Sequence, residues 1–209
     1  MKKYLLVFIP TIFLFACGTV LNSEKNPDSS STDDVNSEDR KTFFELFLKD
    51  KSIAKFKGEG NEFATFSLTT HYLYDDFVVT YEDNGGTVVQ KIYRIHEDKI
   101  SLIANRPEAY DREPPTLSEL NSMQEIEVYM ASPLEVGTEF DGWKITSTTD
   151  TVETELRTFD HVIVIGKKDI QGASIKKYFV KNYGEIKREY ILQDGDELFK
   201  VTSTIESIK

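Results

Sequence analysis

The pattern of apolar and polar residues changes three times along this chain. Residues 4 to 16 form an apolar run, and residues 18 to 37 are almost entirely polar. Large apolar residues then recur at helical spacing between residues 43 and 48, and short strand-like segments with turn residues between them follow from residue 53 onward. The pattern predicts an α+β fold, with a predominantly antiparallel, curved β-sheet and an N-terminal amphipathic helix.

The predicted helix lies in the segment SEDRKTFFELFLKD, residues 37 to 50. Ser37 is suited to the N-cap, and acidic residues occupy the first turn. The apolar face contains Phe43, Phe44, Phe47 and Leu48. Because a helix that leads into a sheet normally packs against it, we expect this stripe in the core, and partner binding is the alternative.

The strand segments are separated by turn residues at hairpin spacing. Asn84-Gly85-Gly86 separates FVVTYED from TVVQKIYRI, and residues 96 to 99 separate IYRI from ISLIA. We therefore expect strands that are neighbours in sequence to be neighbours in the sheet. Residues 105 to 124 contain three prolines and a capping box that begins at Thr116, which predicts a connection that crosses the sheet.

Residues 194 to 197, with the sequence DGDE, are rich in calcium-type oxygen ligands. They lack the other ligands of a twelve-residue calcium loop and lie between two strand-like segments. We therefore expect a hairpin turn.

The N-terminal run follows two lysines and is too short for the roughly 20 residues that a spanning helix needs. Leu14-Phe15-Ala16-Cys17 resembles the lipobox of Gram-positive-type bacterial lipoproteins, which are cleaved before a cysteine modified with diacylglycerol. The resemblance implies a signal peptide over 1–16, lipidation of Cys17 with acyl chains such as palmitate, and attachment to the extracytoplasmic face of the cell membrane. The alternative is an incidental thiol, although an exported chain with a single cysteine can form no internal disulfide.

The polar segment and the remaining chain define the domain organisation. Residues 17–37 comprise the lipidated cysteine and a tether too poor in apolar residues to bury a core, which predicts disorder. Residues 38–209 are long enough for one core and contain neither an internal linker nor a repeat, which predicts a single antiparallel β-rich domain.

The charge of the chain limits its partners. The formal net charge is −11, and loss of Lys2 and Lys3 with the signal peptide leaves 23 basic against 36 acidic residues, a net charge of −13. Such a surface repels nucleic acid and anionic lipid headgroups. We therefore expect no nucleic-acid partner, and contact with the membrane through the lipid anchor.

Three basic residues, Lys181, Lys187 and Arg188, form the candidate binding site. They flank Gly184, where a tight reversal requires a positive φ. As a basic island on an acidic molecule, they would bind an anion such as a wall-polymer phosphate. The alternative is a solvated hairpin in which they pair across strands with Glu185 and Glu189.

The surrounding stretch, YFVKNYGEIKREY over residues 178 to 190, is similar to a strand, glycine turn and basic strand found in bacterial envelope lipoproteins of uncharacterised function. GEGNEFATF (58 to 66), NGGT (84 to 87) and PLEVGTEFDGW (133 to 143) resemble the same family. The resemblance implies an extracytoplasmic location and an antiparallel fold. It carries no established activity and no catalytic residues.

The sequence contains no recognisable catalytic motif. His71, His96 and His161 are far apart and lack the H-E-x-x-H spacing, and no G-x-S-x-G is present. We predict no catalytic residue, no metal and no cofactor. The expected function is a non-enzymatic binding or accessory module of the cell envelope, with an envelope protein or wall polymer as partner. The alternatives are a carrier of lipid-like ligands with an apolar cavity and an envelope hydrolase that uses clustered carboxylates.

Overall fold

The computed structural model describes residues 40–111, 113–169, 172–195 and 197–209, without the side chain of Asp194. The predicted signal peptide, Cys17 and the tether therefore lie outside the described residues. Among the helices that are described, none has the length and apolar character needed to span a membrane.

Twelve strands form one antiparallel sheet in the described part of the chain. In chain order they are β1 (Ile53–Glu59), β2 (Phe66–Leu73), β3 (Phe77–Asp83), β4 (Val88–Ile95), β5 (Lys99–Arg106), β6 (Glu127–Ala131), β7 (Glu139–Phe140), β8 (Trp143–Glu153), β9 (Thr158–Lys168), β10 (Ser174–Val180), β11 (Gly184–Asp194) and β12 (Glu197–Ile208). Their spatial order is β6-β5-β4-β3-β2-β1-β12-β11-β10-β9-β8-β7. Because nearly all sequence neighbours are spatial neighbours, the antiparallel sheet predicted from the turn residues is confirmed.

The two edges of this sheet approach each other. The backbone N–H of Val128 in β6 donates a hydrogen bond to the Asp141 carboxylate in the turn between β7 and β8. At the centre of the strand order, β12 pairs with β1 and joins the two ends of the domain. The sheet is therefore curved, nearly closed and barrel-like.

Three predicted turns are confirmed. Asp83 pairs with Val88 across the Asn84-Gly85-Gly86 turn, and β4 pairs with β5 across residues 96 to 98. Asp194 pairs with Glu197, so the hairpin predicted between β11 and β12 is confirmed.

The connection between β5 and β6 differs from the prediction. Its helix α1 (Leu117–Ser122) begins with the predicted capping box, in which Thr116 and Glu119 satisfy each other's backbone N–H groups. However, β5 and β6 are paired neighbours, so the connection does not cross the sheet. Leu120 instead covers the outer face of β3 to β5, because Phe77 and Ile92 there also need burial.

The segment before β1 is helical over residues 40–44 and continues in turns. The sequence predicts a helix of about three turns that includes Phe47 and Leu48, whereas the described helical residues end at 44, so this part of the prediction is wrong. An α-helix buries only one face, whereas Leu46, Phe47 and Leu48 are consecutive and all buried. The expected burial of the stripe is confirmed for Phe43, Phe47 and Leu48, whereas Phe44 is half-buried. Phe43 and Phe47 join Leu46 in the largest core cluster inside the sheet.

Candidate functional site

Five charged residues from four strands meet inside the curved sheet. We call them the central charged cluster: Glu82 of β3, Lys91 of β4, Lys177 of β10, and Glu185 and Arg188 of β11. Three strands lie between β3 and β11 in the sheet order, so the cluster connects opposite walls of the sheet.

Strand alternation explains why these side chains face inward. In β3, Glu82 follows Val78 at even spacing, and Val78 belongs to the inner core. In β11, regular alternation would separate Glu185 from Arg188. A register shift prevents this, because Lys187 pairs with Tyr178 and Glu185 with Phe179, which leaves Ile186 as the extra residue of a β-bulge.

Arg188 holds the cluster together. Its Nη1 is 3.0 Å from both carboxylate oxygens of Glu82, and its Nε donates to Glu185. The guanidinium lies over the ring of Phe66, 4.5 Å from the centroid. Glu82 also pairs with Lys91 Nζ at 3.3 Å. Both carboxylates are therefore compensated by a planar cation suited to bidentate pairing.

Lys177 is bound less completely. Its Nζ is 3.9 Å from Glu185 Oε2, too far for a hydrogen bond, and lies over the rings of Tyr129 at 4.7 Å and Trp143 at 5.2 Å. The Tyr129 hydroxyl donates a hydrogen bond to Glu185 Oε2 at 3.3 Å. Lys177 is therefore held by charge and ring contacts and lacks a close oxygen acceptor from Glu185.

Burial and charge act in opposite directions on these groups. Burial raises the pKa of Glu185, but the charges of Arg188 and Lys177 outweigh it and hold that pKa below its usual value. The pKa of Glu82 is lowered in the same way by the charges of Arg188 and Lys91. Burial lowers the pKa of Lys177 to about 8, and Glu185 offsets only part of this effect. Both carboxylates are therefore ionised at neutral pH, while the charge of Lys177 is only weakly stabilised.

The cluster borders a cavity of about 30 Å³. Leu46, Phe47 and Leu48 line it from the segment before β1. The hydroxyl of Thr70, also in the lining, is buried and has no hydrogen-bond partner among the described residues. A cavity of this size holds one or two water-sized particles. It is too small and too polar for a lipid, so it does not favour the carrier alternative.

The three predicted basic residues do not form one surface. Lys181 is exposed in the turn before β11 and lies 3.7 Å from Glu45. Lys187 and Arg188 are consecutive in β11, so their side chains leave opposite faces of the strand. Each pairs with a glutamate of its own strand, Lys187 with Glu189 and Arg188 with Glu185. The alternative prediction, in which they pair with these glutamates across strands, is therefore wrong in its geometry.

Lys187 belongs to a second group, the outer charged cluster, which comprises Tyr178, Lys187, Glu189 and Lys200. Glu189 accepts hydrogen bonds from the Tyr178 hydroxyl at 2.6 Å and pairs with Lys187 Nζ and Lys200 Nζ, each at 3.0 Å. Burial raises the pKa of Glu189, but these three donors outweigh it and lower the pKa to about 2.

A groove of about 550 Å³ opens at one end of the sheet, and we call it the terminal groove. It is lined by Leu48, Lys49, Asp50, Lys51, Ser52, Leu156, Arg157, Asn182, Tyr183, Ile208 and Lys209. Arg157 Nη1 donates to the Tyr183 hydroxyl at 3.3 Å. Asp50 already accepts the backbone N–H of Tyr72 at 2.8 Å. The groove therefore combines four basic side chains with an apolar floor.

The histidines do not form a metal site. His71 lies in β2, His96 in the turn between β4 and β5, and His161 in β9. Within the described ranges, no three His, Cys, Asp or Glu side chains are close enough to hold a metal ion.

Sequence reasoning missed Glu82, Lys91 and Lys177 as members of an inner site. The sequence signal that could have found them is a polar residue at an inward position of an otherwise buried strand. Glu82 is an example, because it lies four residues after Val78 and therefore on the same face of β3. The bulge at Ile186 and the partner strands of the cluster leave no comparable signal in the sequence.

Comparison with known proteins identifies the fold. No protein-family model matches the chain, and no curated protein matches it significantly. Among solved structures, the chain is similar to an exported-protein candidate with a YmcC-like fold from Bacteroides fragilis, with a TM-score of 0.50 and 15% identity over 78% of this chain and 97% of that chain. A lipoprotein candidate from Parabacteroides distasonis matches with a TM-score of 0.47 and 14% identity over 78% of this chain and 98% of that chain. At this identity, the likeness to the Bacteroides fragilis protein shows that the chain shares its fold.

Proposed function

We propose that this chain is a membrane-anchored extracytoplasmic lipoprotein whose domain acts as a non-enzymatic binding module of the cell envelope. The anchor is a diacylglycerol-modified Cys17, supported by the LFAC sequence after a short apolar run. Attachment to the outer face of the cytoplasmic membrane, as in Gram-positive bacteria, is part of this proposal. The description of the Bacteroides fragilis neighbour as an exported-protein candidate agrees with it.

The single observation that carries the binding role is the terminal groove. Arg40, the first described residue, donates to the carbonyl of Asp75 in the turn between β2 and β3. In an antiparallel meander, that turn and the turns at 154–157 and 181–183, which build the groove, lie at the same end of the sheet. The described chain therefore begins at the same end of the sheet as the groove, so with an anchor at Cys17 the groove would face the membrane.

The chemistry of the groove favours an amphiphilic ligand with an anionic phosphate head. Lys49, Lys51 and Arg157 supply positive charge on a chain of net charge −11, so the groove is a local exception to the repulsion of anions. Leu156 and Tyr183 offer apolar contact beside that charge. The volume lies within the roughly 300 to 1,000 Å³ of small-molecule sites.

Calorimetric titration of residues 18 to 209, produced without lipid, tests this ligand class. We expect short-chain phosphatidylglycerol to bind and phosphatidylcholine not to bind. A Lys51→Glu and Arg157→Glu double variant should weaken binding by about tenfold or more. Lys168→Glu is the control, because Lys168 is exposed at the opposite end of the sheet.

Glycerol phosphate distinguishes the source of the phosphate. If it binds as tightly as the lipid, the apolar floor contributes nothing and a wall polymer is the better partner. If no anionic probe binds, or the groove variant and its control bind alike, the groove is not the binding site.

The anchor is tested separately by Cys17→Ser. Cell fractionation should move the chain out of the membrane fraction, and metabolic fatty-acid label should be lost. Retention of the variant in the membrane together with an unlabelled wild type would contradict the anchor assignment.

We propose no catalytic role for the interior carboxylates. A general acid needs a raised pKa, whereas Arg188 keeps the pKa values of Glu82 and Glu185 below their usual value. The hydrolase alternative therefore has no support from these residues.

A further inference from the structure

The central charged cluster has more cations than carboxylates. Lys91, Lys177 and Arg188 face Glu82 and Glu185 around the same cavity, which leaves one positive charge uncompensated. Glu127 also attracts Lys177, less strongly than Glu185 does, and does not line the cavity. A surplus charge in an interior of low dielectric is costly unless something neutralises it.

Among the described residues, two donors of the lining lack a hydrogen-bond acceptor. Both carboxylates already accept from Arg188, and Glu185 accepts from Tyr129 as well. In the part of the chain that the structure describes, Lys177 Nζ has only the 3.9 Å contact to Glu185 as an ion pair, and the Thr70 hydroxyl has no partner. An occupant that accepts hydrogen bonds and carries negative charge would satisfy both groups.

The size and access of the cavity restrict that occupant. A volume of about 30 Å³ admits one or two water-sized particles or a single small ion, and it excludes a phosphate ester or a lipid headgroup. The side chain of Lys177 is 21% exposed and that of Lys91 is 26% exposed, so an ion can reach the cavity from solvent.

We infer that the cavity beside the central charged cluster binds one monovalent anion of about the size of chloride. Lys177 supplies the uncompensated charge, and Thr70 supplies a neutral donor. The site is independent of the terminal groove, because the two share only Leu48 in their linings.

Anomalous diffraction from crystals of the chain soaked in bromide tests the site directly. We expect a bromide peak inside the sheet, in contact with Lys177 Nζ and Thr70 Oγ1. Lys177→Met keeps the length of the side chain and removes the surplus charge, so the peak should disappear. Thr70→Val has nearly the same shape as threonine and should reduce the occupancy of the peak.

Three results would overturn the inference. The first is water density without an anomalous signal in the wild-type cavity of a crystal that shows bromide on its surface. The second is a peak of equal height in Lys177→Met, because the surplus charge would then not be what binds the anion. The third is a bromide occupancy in Thr70→Val equal to that in wild type, which would show that the Thr70 hydroxyl does not bind the anion.

Discussion

The central and outer charged clusters are built from opposite faces of the same strand, β11, and each has one more cation than carboxylates. In the outer cluster every cation lies close to Glu189, and Lys200 is 46% exposed, so water solvates the surplus charge. In the central cluster Lys177 is 3.9 Å from its carboxylate and its pKa is lowered to about 8. The two clusters therefore have the same surplus of charge, and they differ in whether each buried N–H group has an acceptor.

The difference between the clusters follows from the bulge at Ile186. Without it, Glu185 would lie on the same side of β11 as Lys187 and Glu189. The bulge moves Glu185 beside Arg188 and thereby divides one charged strand into a complete cluster and an incomplete one.

The largest expected effect is the loss of the cation that joins the walls of the sheet. Arg188→Met leaves Glu82 and Glu185 without their main partner, and we expect a loss of about 3 kcal/mol in the free energy of unfolding. Lys187→Met is the matched control. It should cost only about 1 kcal/mol, because Glu189 keeps Tyr178 and Lys200. Urea denaturation measures both, and equal losses would contradict the assignment of Arg188 as the central residue.

Glu189 of the outer cluster should account for part of the loss of stability at acid pH. The pKa of Glu189 is lowered from 4.5 to about 2, so its contribution to stability is complete above pH 4.5 and is lost as the pH falls towards 2. At about 1.4 kcal/mol per pKa unit, the loss is up to about 3 kcal/mol.

Glu189→Gln tests this dependence. The variant should be less stable than wild type at pH 6, and the difference should shrink between pH 4.5 and pH 2 in urea denaturation. A difference that stays constant over this range would mean that ionised Glu189 is not specifically stabilised by the fold.

A smaller effect should come from the roof of the central cavity. Gly184 has φ 69°, and an added Cβ would lie 3.1 Å from Leu46 O and 3.2 Å from Leu48 N. We expect Gly184→Ala to cost about 2 kcal/mol, from the strained φ together with displacement of the segment that covers the cavity. Gly85→Ala, at φ 80° with no atom of the described residues within 4 Å of the new Cβ, should cost about 1 kcal/mol from the backbone alone. Equal costs in thermal unfolding would contradict close packing of the segment on Gly184.

Local signals in the sequence predict most of the fold. The Asn84-Gly85-Gly86 turn, the Thr116 capping box and the positive φ at Gly184 all follow from short-range chemistry, and the structure has each of them. The pairing of β5 with β6 depends on contacts that are distant in sequence, so the proline-rich connection between them was misassigned.

The candidate site was less predictable. Lys187 and Arg188 were grouped because they are adjacent in sequence, although adjacent residues of a strand face opposite sides. Arg188 pairs with Glu82 across 106 positions, and that contact depends on the closure of the sheet. The four segments that carry the family resemblance do not contain Glu82, Lys91 or Thr70, which line the cavity.

The chloride dependence of unfolding tests most directly whether one cluster is incomplete and the other complete. The free energy of unfolding is measured by urea denaturation while chloride replaces gluconate at constant ionic strength. Wild type and Lys187→Met should gain stability with chloride as RT ln(1 + [Cl⁻]/Kd), whereas Lys177→Met should show no gain. Two results would contradict the assignment of the incomplete cluster to the interior. One is a chloride-dependent gain in stability in Lys177→Met equal to that of wild type, and the other is loss of this gain in Lys187→Met instead.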